Sequence, residues 1–258
     1  MGVQKHNLSA VDLFWTGGWD STFRLLDLLL EKKLSVKPHY IVDDRRASHD
    51  FEMDTMSAIR DHLIEKYPFL IKRLHPVKFS TRQQIIPTIK TRAAFNAIRE
   101  LRHLGDQYLW LSEYCIQNDL NGMEIAIERS LIHDFNDDIT HYLLEGYQNG
   151  NAHQKDLFRA LKPHFDILFQ PFSFPIRHLS KPDMLQIAQQ RGWMNLLNRT
   201  WFCFRPKNFN QPFGHCKPCL RAIQENFAWR IPIHRIYLGK MRLMYSQWRN
   251  KKLQETPK

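Results

Sequence analysis

No stretch of this 258-residue chain approaches the ~18 to 20 uninterrupted apolar residues of a membrane span, and the opening MGVQKHNLSA lacks the apolar core of a secretion signal. A cytoplasmic location with no membrane partner is therefore expected. Gly2 is not followed by the Ser or Thr that a myristoylation signal requires. Internal repeats, low-complexity tracts and Gly/Ser linkers are missing, so no hinge marks off a second independent domain. Cysteine is scarce. Of the four present, Cys203, Cys216 and Cys219 lie close together, which in a reducing compartment reads as metal ligation sooner than as disulfides. Cys115, in the helical pattern LSEYCIQND beside Leu111, reads as a small buried apolar residue. The phosphate-binding patterns GxxxxGK[ST] and GxGxxG are both absent, which disfavours a P-loop NTPase or a classical dinucleotide-binding domain.

What is present describes an ordinary globular protein: 43% hydrophobic and 24% charged residues, in a chain long enough to bury a substantial core. The net charge of +11 is concentrated at one end, where residues 229–258 carry eight Lys or Arg against the single acid Glu255, a net of +7. Tyr237, Tyr245 and Trp248 are interleaved with those cations. Two readings follow: an RNA or nucleotide-bearing partner, met by cations and stacking rings, or a solvated amphipathic helix docked by Ile236, Met241, Met244 and Trp248.

The N-terminal half alternates short apolar runs with amphipathic stretches. Strands are predicted over Val11 to Trp15, Val36 to Val42 and near Ile71 to Phe79, with helices over Ser21 to Lys33 and about Phe51 to Lys66 between them. Connections of this length imply parallel strands covered by helices. Farther on, Thr91 to Leu104 and Asp106 to Gln117 read as helices and Met123 to Ile127 as a buried strand. A polar helical insertion follows over about 134–161, then a last strand within Phe165 to Phe174 and a helix opened by Ser180.

Between the first strand and first helix the chain reads FWTGGWDST. Two glycines permit positive φ and leave no side chain in the way, so backbone N–H groups can converge on an anion at the positive end of a helix. Thr16, Ser21 and Thr22 offer hydroxyl donors, and Asp20 offers a helix-start acceptor or a ligand for Mg²⁺. A plain tight strand-to-helix turn accounts for the same residues. Downstream, Ser180 is a suitable N-cap with Asp183 three residues on and Pro182 in the first turn, which presents Lys181 at a helix start. Lys181 is either a phosphate neutraliser or a surface lysine.

TGGWDST resembles the SGGxDS signature of the PP-loop ATP pyrophosphatases, with Thr16 in place of the first Ser. The run PIRHLSKPDMLQIAQQRGWMNLLNRTWFCF resembles the C-terminal part of the PP-loop family of 7-cyano-7-deazaguanine synthases, where an LSK helix start precedes a Gly, a TW-x-C strand end and a zinc-binding cysteine cluster. The likeness spans roughly Val11 to Asp43 and Phe165 to Ala222; the middle matches only in its order of elements. It implies an α/β, Rossmann-like fold of the adenine nucleotide alpha hydrolase (HUP) type, a parallel sheet with helices on both faces. A nucleotide-binding domain would span 1–200 and a cysteine cluster with basic helical tail 201–258. It further implies an ATP-dependent carbon–nitrogen ligase that activates a carboxylate as its adenylate and releases pyrophosphate, then AMP. ATP would be held by Thr16, Gly17, Gly18, Trp19, Asp20, Ser21, Thr22, Asp43 and Lys181, with Ser21 and Lys181 nearest the chemistry. Arg129, at the end of the fourth strand, is a weaker substrate-binding candidate, and there the family's substrate-recognition wording is missing.

Cys203 and the turn Cys216-Lys217-Pro218-Cys219 supply three thiolates of a tetrahedral Zn²⁺ site. The related family has a further cysteine before the glycine of this turn, but here Phe213 precedes Gly214. His215 is a candidate fourth ligand. The departures leave two other readings open: an RNA-modifying enzyme of the same fold whose basic tail holds RNA, and a nucleotide- and zinc-binding protein without chemistry. A small or carried carboxylate, an RNA or protein partner and a homodimer complete the expected partners.

Overall fold

The computed structural model describes residues 10–129, 152–206 and 211–255. Its centre is a five-stranded, all-parallel sheet with strand order β3-β2-β1-β4-β5. Apolar and β-branched residues set the inner strands β1 (Val11–Phe14) and β2 (Val36–Val42), paired with Val11 opposite Val36 and Phe14 opposite His39. Outside β2 lies β3 (Lys78–Thr81); on the other side of β1 lie the two-residue strands β4 (Met123–Glu124) and β5 (Phe172–Ser173).

Parallel neighbours require crossovers, and helices supply them. α1 (Trp19–Leu26) runs on into a π-helical turn over Asp27–Glu31, and α2 (His49–Lys66) joins β2 to β3. α3 (Ile89–Leu101), α4 (Gln107–Gln117) and α5 (Ala152–Phe169) cover the opposite face. Side chains alternate across the pleat. Leu13, Trp15, Val36 and Tyr40 join the core shared with α1 and α2, whereas Phe14, Ile41, Met123 and Phe172 join the core of α3 to α5. Both faces are thus buried, as an all-parallel sheet demands. Among the described residues no helix is long and apolar enough to cross a membrane.

Several expected boundaries move. The strand expected near Ile71 to Phe79 is a 3₁₀ turn over Pro68–Lys72, an isolated bridge from Leu74 to Val36 and then β3, because Pro68 favours a helical turn and Pro76 delays the ladder. The strand expected within Phe165 to Phe174 is mostly helix: Leu161, Phe165, Leu168 and Phe169 bury one stripe at helical spacing, leaving only Phe172–Ser173 to the sheet. Of the expected insertion, residues 152–161 belong to α5 and the remainder lies outside the described residues. Cys115 is fully buried, and burial pushes its thiol up to about 12.

The C-terminal third returns to the first core. α6 (Lys181–Gln190), α7 (Met194–Leu197) and α8 (Lys217–Gln224) contribute Met184, Leu197, Cys219 and Ala222 to the cluster that holds Leu13 and Trp15. The last helix, α9 (Ile233–Glu255), departs from the expected docking. Ile236 packs on that core, but Met241, Met244 and Trp248 are 58%, 68% and 56% exposed. Contact is made instead at buried Gly239, where an added Cβ would lie 2.5 Å from the Gly214 carbonyl oxygen.

Strand order reverses at β1, which has β2 on one side and β4 on the other. α1, which follows β1, lies on one face and α5, the next described helix after β4, on the other, and a crevice opens at the carboxyl ends of these strands.

Candidate functional site

The loop after β1 enters that crevice. Gly17 has φ +67°, and a Cβ there would lie 3.1 Å from both the Glu52 carbonyl oxygen and Thr55 Cγ2, so only glycine fits. Gly18 is the N-cap of α1, and no side chain caps that helix start. Around the turn, Gly18 N–H donates to Thr16 Oγ1 at 3.4 Å, Ser21 Oγ donates to the Gly18 carbonyl at 3.3 Å, and Thr16 N–H donates to Ser21 Oγ at 3.4 Å. Thr22 turns inward and accepts from Trp15 Nε1 at 3.0 Å. A distant irregular segment braces the loop: Trp201 N–H donates to the Gly17 carbonyl at 3.0 Å, while its ring stacks on Phe51.

A cleft of about 580 Å³ opens beside this loop, with Thr16, Gly18, Trp19, Asp20 and Lys181 in its wall. Lys181 reaches it through a complete capping box: Ser180 Oγ accepts from Asp183 N–H and Asp183 accepts from Ser180 N–H, which places Lys181 in the first turn of α6. Its Nζ donates to both oxygens of Asp20 at 3.0 and 3.1 Å and to Glu128 Oε2 at 2.5 Å. Arg221, from α8, donates to Glu128 Oε1 at 2.7 Å and to Glu225 Oε1 at 2.9 Å. Four segments remote in sequence thus converge on one chain of charges, Asp20, Lys181, Glu128, Arg221 and Glu225. Glu225 Oε2 is buried and, among the described residues, has no hydrogen-bond partner, with Lys181 Nζ 4.0 Å away.

Burial and the neighbouring Glu128 charge push the Asp20 carboxyl up to about 8, against the pull of Lys181. Burial also opposes ionisation of Glu128, but Lys181 and Arg221 outweigh it and hold that carboxyl at about 2. Lys181 stays above its ordinary value because Asp20, Glu128 and Glu225 together overcome the cost of burying it. The cleft is therefore rich in both signs, with five cationic and four carboxylic side chains in its wall.

Ser21 faces a smaller adjoining pocket of about 180 Å³ that it shares with His39, Tyr40 and Trp110 over the ends of β1 and β2. Gly17 and Thr22 shape the loop from behind. Asp43 lies apart, outside the lining of either pocket: Arg45 grips its carboxylate at 2.9 and 3.0 Å and keeps it below its ordinary value. Arg129 is directed away to Asp183 at 3.2 Å, and the residue before it, Glu128, takes the place in the wall. Glu128, Arg221, Glu225 and Arg230 carry no local motif. Only the helical phase of α8 hinted that Arg221 and Glu225, four apart, share one face.

The three thiols come together. Cys216 Sγ lies 3.3 Å from Cys219 Sγ and 3.7 Å from Cys203 Sγ, and all three sulfurs fall within 4.8 Å of one another. These spacings exceed a disulfide and approach the ~3.8 Å edge of a tetrahedron of thiolates about zinc. Cys216 is the N-cap of α8, and its hydrogen bonds with Cys203 and Cys219 lower its thiol below the ordinary value while those of Cys203 and Cys219 are raised. The set fits a thiophilic ion such as Zn²⁺. His215 is not in the group; its ring lies on Phe213, with centroids 3.7 Å apart.

No protein-family model matches the chain and no curated protein matches it, so a functional reading rests on the residues of this cleft.

Proposed function

We propose that this protein is a PP-loop ligase of Rossmann-like, HUP-type fold that binds Mg-ATP at the loop Thr16 to Thr22 and activates a carboxylic acid as its adenylate. The observation that carries this reading is the uncapped start of α1 behind Gly17 and Gly18, set directly across from Lys181 at the reversal of strand order. First-turn N–H groups there offer a positive helix end to the terminal phosphates, with Thr16 and Ser21 hydroxyls as further donors. Adenosine fits the adjoining pocket over β1 and β2.

Charges in the cleft suit this chemistry. A carboxylate oxygen of the acid attacks the α-phosphorus, the bond to the bridging oxygen breaks, and pyrophosphate leaves with the electron pair. A nitrogen nucleophile then attacks the acyl carbon and displaces AMP. Lys181 and Arg221 offset charge that develops on the phosphates, and positioning accounts for the rest. Bound Mg²⁺ would neutralise phosphate oxygens, and Asp20 in the cleft wall, on giving up its proton, would be the carboxylate that holds it. Zn²⁺ at Cys203, Cys216 and Cys219 would be structural, fixing α8 and so Arg221.

Incubation with Mg-ATP, a panel of carboxylates and ammonia or amines tests the proposal. AMP and pyrophosphate are the expected products. ADP and phosphate, or a purified protein to which ATP does not bind, would sink it. One observation favours a second reading, in which the substrate is carried on RNA: α9 presents Tyr237, Tyr245 and Trp248, each more than half exposed, on a strongly basic segment.

A further inference from the structure

Most cations of the cleft have carboxylate partners. Arg46 donates to Glu52 at 2.9 Å, and Lys181 and Arg221 share Glu128. Arg230 differs: among the described residues no carboxylate pairs with it, although it lines the same cleft and is largely withdrawn from water. Its Nη2 donates to the carbonyl and to the hydroxyl of Thr200, the latter at 2.7 Å. Phe202 and Trp19 flank the guanidinium, their ring centroids 4.6 and 5.4 Å away. Burial pulls the group down to about 10, which leaves it charged at neutral pH.

A guanidinium largely withdrawn from water with no carboxylate bonded to it, only Asp20 attracting it from a distance, is costly to keep, and a fold that keeps one beside a cleft is complementary to an anion that arrives with the ligand. Among the described residues, Nε and Nη1 make no hydrogen bond. The surroundings favour a carboxylate on an apolar body over a polyphosphate. Trp19, Phe202 and Phe227 form this part of the wall, with Trp19 and Phe227 in edge contact at 5.0 Å, while loop N–H groups and Lys181 serve the phosphates elsewhere.

We infer that Arg230 is the receptor for the carboxylate of the acid substrate, held by the donors that Thr200 leaves open, next to Trp19 and so next to the phosphate loop. The identity of this anion as the reacting acid rests on the adenylation reading above. The arrangement also gives Thr200 a role: its carbonyl and hydroxyl fix the guanidinium, and Trp201 N–H fixes the loop.

Benzoate, its neutral isostere benzamide and inorganic pyrophosphate serve as probes for the full chain, followed by tryptophan fluorescence and by NMR of isotope-labelled arginine side chains. Benzoate should bind about tenfold more tightly than benzamide, the worth of one charge-assisted hydrogen bond. Arg230→Met should erase that preference and Arg230→Lys keep part of it, with pyrophosphate affinity within about twofold of wild type. The shift of one arginine Nε signal on adding benzoate to the wild type, lost in Arg230→Lys, gives a reading that survives if Arg230→Met folds poorly. A wild type that does not distinguish benzoate from benzamide overturns the assignment, as does an Arg230→Met variant that loses pyrophosphate instead. Benzoate preference without Mg-ATP binding would refute the nucleotide reading and leave Arg230 as an acid receptor; Mg-ATP binding without the preference would do the reverse.

Discussion

At the scale of single residues, the two glycines of the loop do different things, and substitution separates them. Gly17→Ala places a side chain at φ +67° and 3.1 Å from the Glu52 carbonyl oxygen, so about 1–2 kcal/mol of backbone strain and added crowding should lower the melting temperature by roughly 5 °C. Gly18 has extended φ and ψ of −76° and 165°, and its nearest neighbour would be Thr16 Oγ1 at 3.2 Å. Gly18→Ala should therefore melt within about 1 °C of wild type yet bind ATP about tenfold more weakly, because the new methyl occupies the anion's place. Calorimetry and ATP titration on both variants check this; equal losses of stability would contradict it. Asp20 yields a test of sign. Its raised carboxyl holds a proton in the folded state where the unfolded chain has released it, so its contribution to stability is full below its ordinary value of 3.8 and lost as pH rises through about 8. Glu128 works the other way, its contribution failing only as pH falls through about 2. From about pH 5 to 9 the melting temperature of wild type should thus decline more steeply than that of Asp20→Asn, by on the order of 3 °C across the range. Parallel slopes would refute the assignment.

At the scale of elements, legibility followed burial pattern. β2 and the capping box of α6 were readable because VKPHYIV and Ser180-Lys181-Pro182-Asp183 state their structures locally. β4 and β5 were hard to bound, since two paired residues each leave little periodicity, and the stripe around Phe165 suits either period until the helix is seen to reach Phe169. The docking of α9 differs from the expected face for a related reason: of the apolar side chains that marked it only Ile236 packs on the core, and the closest approach is made by a residue with no side chain. Gly239 lies so close to Gly214 and to Ile223 that any Cβ would collide at 2.5 Å. Gly239→Ala should push α9 away from the turn that carries His215 and Cys216 and weaken zinc retention about tenfold. Competition with a chromophoric chelator measures this, and unchanged retention would show that the helix contact and the thiol cluster are independent.

Over the whole molecule, the candidate site was legible only where a motif announced it. Thr16 to Thr22, Lys181 and the three cysteines were readable, because strand-to-helix glycines, a helix cap and C-x₂-C spacing each carry their chemistry in a few adjacent letters. Glu128, Arg221 and Arg230 were not, since nothing local distinguishes them and their roles arise when β4, α8 and the turn before α9 are folded onto the loop. The exposed face of α9 carries a whole-molecule prediction: a chain ending after Ile236 should keep Mg-ATP binding and lose any RNA affinity, whose steep salt dependence in the full chain would report phosphate contacts. Retention of RNA binding by the shortened chain would move that surface elsewhere. The bond from Trp201 N–H to the Gly17 carbonyl has its own consequence for synthesis. Loop and brace are far apart in the chain, so the turn at Gly17 cannot close until Trp201 has been made and folded back onto it, and closure of that turn becomes a gauge of finished folding.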